Sequence, residues 1–159
     1  MLDAALGCSP EARIFAREGA LVFAAEEAEP AAAARLAAHL PPVAVERVPA
    51  VGRRLDLKAV LARLAGLEVN ELLVECGPRL AAAFLEEGLV DEWIIYVAPL
   101  LLGADAAPLT ALAALDARNS RFAFDIMSVA RLDGDVRLIL EPRREGTAHG
   151  SPGLAPSRT

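Results

Sequence analysis

Apolar positions along the chain switch between continuous runs and a helical period. Ala20 to Ala25 reads Ala-Leu-Val-Phe-Ala-Ala behind Gly19, a short run that predicts a buried strand. Glu29 to His39 is alanine-rich with Pro30 at its start, which suits the first turn of a helix, and Pro41-Pro42 stops it. Val43 to Val48 alternates and predicts a second strand. Asp56 is an N-cap for a helix to about Ala65, with Leu57, Val60, Leu61 and Leu64 at helical spacing and Gly66 at its end. Glu71 to Glu75 predicts a buried strand closed by Cys76-Gly77-Pro78. A helix follows over Arg79 to Glu87, with Leu80, Phe84 and Leu85 on one face and Gly88 ending it. Glu92 to Ala98 contains Trp-Ile-Ile-Tyr-Val, a strand composition, and Pro99 to Leu109 is a loop. Phe122 to Leu132 and Val136 to Glu141 predict two closing strands around the hairpin turn Asp133-Gly134-Asp135. Strands and helices that alternate in this way predict an α/β fold whose mixed sheet ends in an antiparallel hairpin.

Composition narrows the class. The chain has 159 residues, so one domain is expected, over 1–142. From Arg143 onward Gly, Pro, Ser and Thr dominate, and 143–159 reads as a disordered tail. Apolar residues are 55% of the chain, enough for a core, and aromatics only 4%, so that core is aliphatic. A net charge of −6 argues against sequence-independent nucleic-acid binding, which needs a basic surface. No apolar run reaches the roughly 18–20 residues of a membrane span, and no signal-peptide pattern opens the chain. Cys8 and Cys76 make no disulfide framework and suit a reducing compartment, so a cytoplasmic protein is expected. His39 and His149 lie outside any ligand-spaced cluster, so no metal is expected.

The chemistry concentrates at Leu72-Leu73-Val74-Glu75-Cys76-Gly77-Pro78-Arg79-Leu80. A strand that turns at a glycine into a helix leaves the first helical amides without intrahelical partners, and the helix dipole adds positive potential there. Such a turn is an anion site. Gly77 carries no Cβ, so a phosphate can approach its backbone, and Pro78 opens the helix without wasting a donor. Glu75, at the end of an apolar strand, needs a polar partner if buried. Strand–Gly–Pro–helix turns also occur for purely structural reasons, and no Gly-x-Gly-x-x-Gly or Walker sequence is present. Cys76 reads as a small packing residue, with no histidine near it in sequence to activate it.

Val74-Glu75-Cys76-Gly77-Pro78-Arg79-Leu80-Ala81, then Gly88-Leu89-Val90-Asp91-Glu92, then Tyr96-Val97-Ala98-Pro99 and Leu101-Leu102-Gly103 form a series in fixed order. It resembles the reductase domain of the riboflavin-pathway bifunctional deaminase–reductase, whose fold is dihydrofolate-reductase-like. Leu2-Asp3-Ala4-Ala5-Leu6 resembles another segment of that family, so the match runs from about Leu2 to Glu141. The resemblance implies NADPH-dependent reduction of 5-amino-6-(5-phosphoribosylamino)uracil, with hydride passing to C1 of the ribose. It implies that Glu75 and Leu6 contact the substrate. It implies that Asp3, Gly77, Pro78, Arg79, Leu80, Ala81, Ala82 and Ala83 contact NADPH, and that the protein is a homodimer. No catalytic residue is assigned. Asp91 and Glu92 read as strand-flanking groups, because adjacent strand residues face opposite sides.

The chain departs from the family in three places. Cys76 replaces a small family residue, and Gly7 stands where an arginine is common. The family domain also begins upstream of the position matching Met1, so the expected fold lacks the family's first strand and helix, and no zinc deaminase signature is present. Two other readings stay open: another NADPH-dependent reductase of the same fold, and a non-catalytic remnant that only folds or dimerises.

Overall fold

The structure is a computed structural model, and it describes residues 1–52, 54–112 and 122–143. The chain divides into two compact units, Met1–Val74 and Glu75–Thr159.

The first unit is built on a parallel pair. Strand β1 (Leu21–Ala25) pairs with β2 (Ala44–Val48) in the register Leu21 to Ala44 through Ala25 to Val48. Helix α1 (Pro30–Ala37) makes the crossover, with Pro30 in its first turn as its sequence predicts. The N-terminal segment lies along β1. The Asp3 amide donates to the Phe23 carbonyl (2.9 Å), the Phe23 amide to that of Met1 (2.9 Å), and the Ala25 amide to that of Ala4 (3.0 Å). A short hairpin of β3 (Ala50–Val51) and β4 (Arg54–Leu55), unforeseen in the sequence, leads into helix α2 (Leu57–Gly66). Asp56 caps α2 as expected, accepting from the Ala59 amide at 3.0 Å. The left-handed residue after α2 is Glu68 (φ 62°), not Gly66, which is still helical.

Two aliphatic clusters hold this unit. Leu6, Phe15, Val22, Ala24, Ala32 and Leu36 share one, and Phe23, Ala25, Val48, Leu55 and Val60 the other. They lie on opposite faces of β1 because its side chains alternate. His39 is structural: its Nδ1 meets the Pro41 carbonyl oxygen at 2.9 Å and its ring sits edge-on to Phe15. His149 lies outside the described residues.

The second unit holds helix α3 (Pro78–Glu86) and an antiparallel sheet of order β5-β7-β6, formed by β5 (Trp93–Val97), β6 (Phe124–Leu132) and β7 (Asp135–Pro142). Gly88 ends α3 at φ 68°. The β6–β7 turn has Asp133 and Gly134 both at positive φ (49° and 115°), the tight-hairpin geometry that Asp-Gly favours. A register shift between Ile126 and Ser128 bulges β6. Arg143, expected at the start of a disordered tail, is instead tied down. Its amide donates to Ala123 (2.8 Å) and its guanidinium pairs with Asp125 (2.6 Å). The remainder of that expected tail lies outside the described residues.

One expected element is absent. Glu71 to Glu75 joins no ladder among the described residues, and its apolar side chains are exposed, Leu73 to 76%. Strand composition supplies only propensity; a strand forms when a neighbour takes up its backbone hydrogen bonds. For the same reason the described residues form, in place of the expected single sheet, a parallel pair, a short hairpin and a three-stranded sheet.

Candidate nucleotide site

Helix α3 begins in the second unit at Gly77, its N-cap, which is extended (φ −80°, ψ 172°) and exposed. The conformational freedom of glycine is therefore not used here. What distinguishes the position is space: among the described residues, no atom beyond its chain neighbours lies within 4 Å of where a Cβ would stand. No side chain caps the helix. Pro78 has no amide hydrogen, and the Leu80 and Ala81 amides turn back to the Gly77 carbonyl at 3.2 and 3.1 Å. Among the described residues the Gly77 and Arg79 amides have no backbone partner, fewer free donors than a strand–glycine–helix turn suggests from sequence. Arg79, the second residue of the helix, is exposed and cationic. This open, uncapped and locally cationic helix end fits a diphosphate.

Of the other residues expected along the cofactor, Ala82 is buried, while Leu80, Ala81 and Ala83 are half-buried. Leu80 is therefore not on the most buried face, which Ala82, Phe84 and Leu85 form. Glu75 is exposed, and it bears no burial penalty of the kind its sequence setting predicts, because the segment before it is exposed too. Cys76 is also exposed, yet surrounding groups desolvate its thiol enough to push it above the usual thiol range, which argues against a nucleophile.

Asp3 and Leu6 lie in the first unit. Burial pushes the Asp3 carboxyl up, but hydrogen bonds from Cys8, Gly7 and Ala5 outweigh it, leaving it below its ordinary 3.8. The Cys8 amide donates to Asp3 Oδ2 at 2.8 Å. Asp3 thus stitches a turn in which Leu6 is left-handed (φ 53°) and places its side chain in the core, 3% exposed. Burial and the neighbouring Asp3 push the Cys8 thiol up. A turn residue at Asp3 and a core leucine at Leu6 are both open readings of the sequence; the left-handed backbone at Leu6 is what the sequence does not show. Among the described residues no group of His, Cys, Asp and Glu is placed to hold a metal, and no helix is long and apolar enough to cross a membrane.

One unit with a parallel strand–helix–strand arrangement and another with a helix and an antiparallel sheet define a mixed α/β protein of dihydrofolate-reductase-like fold. Comparison with known proteins places it further: the RibD C-terminal domain family matches residues 2–138, and the chain belongs to that family. It is 41% identical over 86 residues to riboflavin biosynthesis protein RibD of Escherichia coli, covering 54% of this chain and 23% of that protein. It is 30% identical over 92 residues to 5-amino-6-(5-phosphoribosylamino)uracil reductase of Buchnera aphidicola from Acyrthosiphon pisum, covering 58% of this chain and 44% of that one. RibD of Acinetobacter baumannii superposes with a TM-score of 0.73 at 30% identity, over 90% of this chain and 36% of that structure. A pyrimidine reductase-like protein from Corynebacterium diphtheriae shares the fold, with a TM-score of 0.70 at 18% identity, over 91% of this chain and 60% of that structure. The match therefore spans between 14% and 44% of the length of the curated relatives.

Proposed function

We propose that this chain reduces 5-amino-6-(5-phosphoribosylamino)uracil to its ribitylamino product, with NADPH as the reductant. The observation that carries the reading is the open, uncapped start of α3 at Gly77, preceded by the exposed carboxylate of Glu75. The name of the Buchnera reductase, and membership of the RibD C-terminal domain family, support the choice of substrate.

The nicotinamide cofactor supplies the hydride that ribose C1 receives; a proton delivered to the ring oxygen completes the opening to a polyol. The protein's part is to bind and orient. The Gly77 and Arg79 amides and the Arg79 guanidinium hold the cofactor's diphosphate, and Glu75 accepts hydrogen bonds from the substrate's hydroxyl or amino groups. Asp3 and the turn it stitches serve the cofactor side, and the Leu6 segment the substrate side, through backbone rather than through the buried Leu6 side chain. A homodimer belongs to the same reading, supported by β5, which ends its sheet with Tyr96 61% and Val97 47% exposed. Two free cysteines accord with a cytoplasmic setting.

The test is NADPH oxidation by the full chain, with and without the phosphoribosylaminouracil. Substrate-dependent oxidation is expected. NADPH binding without turnover would leave a cofactor-binding remnant, and absence of both would refute the reading.

A further inference from the structure

In the second unit, the chain leaves β5 through Ala98-Pro99-Leu100-Leu101-Leu102-Gly103 and continues to Leu109. This stretch carries one charge, Asp105, and four leucines. Leu100, Leu101, Leu102 and Leu109 are all exposed, and Leu101 stands wholly in solvent. A single apolar residue at a surface needs no explanation, but four on one loop mark a contact. Two backbone hydrogen bonds lie within the loop, from the Leu100 amide to the Ala98 carbonyl (2.8 Å) and from the Ala106 amide to that of Gly103 (3.0 Å). A third ties its far end to α3: the Ala111 amide donates to the Pro78 carbonyl at 3.0 Å. Pro78 is the first residue of α3 and stands between Gly77 and Arg79, whose amides are free. Leu109 precedes the tie by two residues, so its Cα lies within about 8 Å of that of Ala111.

We propose that these leucines form the apolar wall against which a base of the dinucleotide packs when its diphosphate is held at the start of α3. The proposal rests on the NADPH reading and deepens it. A dinucleotide's diphosphate carries a nucleoside on either side, so a base lies one ribose away from the amides that hold the charge. Those amides and Arg79 supply polar contacts alone, whereas a flat ring is bound mainly by apolar lining. Leucines that face water in the free protein gain by covering such a ring. The tie from Ala111 to Pro78 favours a nucleotide over a second copy of the chain as the occupant, because it fixes the end of the loop to the same turn as the anion donors.

The test compares the full chain with a variant carrying Leu101→Ser and Leu109→Ser. Each is titrated with NADPH, ADP and inorganic pyrophosphate, and each is sedimented to read its oligomeric state. The variant is expected to melt as the wild type does, since both side chains are exposed. Its NADPH affinity is expected to fall by about tenfold or more, the scale of burying one leucine side chain. Its affinity for pyrophosphate, which has no base, is expected to stay the same. A parallel loss for ADP makes adenine the ring against the wall; ADP binding unchanged makes it the nicotinamide. Equal loss for NADPH and pyrophosphate would overturn the proposal, because the leucines would then act through the α3 turn. A changed oligomeric state with unchanged NADPH affinity would overturn it in favour of a contact between copies. If the wild type binds NADPH and the variant binds it equally well, the proposal fails alone. If the wild type binds neither NADPH nor pyrophosphate, the cofactor reading fails and takes the proposal with it.

Discussion

Replacing Gly77 by alanine separates the ligand role of the α3 turn from its structural role. The backbone there is extended at φ −80°, a conformation alanine adopts freely, and the added Cβ meets nothing beyond its chain neighbours within 4 Å among the described residues. Two effects on stability oppose each other. Restricting the unfolded chain contributes about 0.4–1 kcal/mol. Alanine is a poorer N-cap than glycine, which costs roughly the same. The net change is within about 1 kcal/mol, a shift of a few degrees in melting temperature. Binding responds differently. A methyl group in the space where the diphosphate approaches removes one or two charge-assisted hydrogen bonds, about 1.5–3 kcal/mol each. That weakens NADPH by at least about tenfold. Thermal denaturation and NADPH fluorescence titration on the same preparations read the two effects. NADPH affinity within twofold of wild type in a folded Gly77→Ala protein would refute the assignment of this turn.

Other predictions bear on the first unit. Leu36→Ala, at a position 2% exposed, is expected to cost about 2–5 kcal/mol by urea denaturation. Asp56→Ala removes the cap on the Ala59 amide and is expected to cost about 1 kcal/mol, with loss of helicity confined to α2 in hydrogen exchange. Asp3 is more acidic folded than unfolded. It therefore adds stability above its ordinary value of 3.8, and that stability is lost as pH falls through the lower folded value. Asp3→Asn keeps an acceptor for the Cys8 amide but removes the charge, so its acid-unfolding curve between pH 2 and 5 is expected to be flatter than that of the wild type.

The sequence carries the local signals of this fold well and its pairings less well. Pro30, Asp56 and Gly88 mark helix ends because each acts through its own backbone or side chain within one turn. Asp133-Gly134 marks the hairpin because its φ demands are local. Glu71 to Glu75 reads as a strand and is not one, because a ladder depends on a neighbour that composition does not specify. The β3–β4 hairpin went unread because two-residue strands carry no period.

At the site, Gly77-Pro78 announces an uncapped helix, but only coordinates reveal that the Leu80 and Ala81 amides turn inward and that Ala82 is buried. The charge on Asp3 is visible in sequence, whereas its amide nest depends on the left-handed turn at Leu6, which no glycine advertises.

The most direct test of the diphosphate site is the backbone amide spectrum of the full chain during NADPH titration. Saturable shifts at Gly77 and Arg79 are the predicted result. Shifts that bypass the start of α3, or none at saturating NADPH, would contradict it.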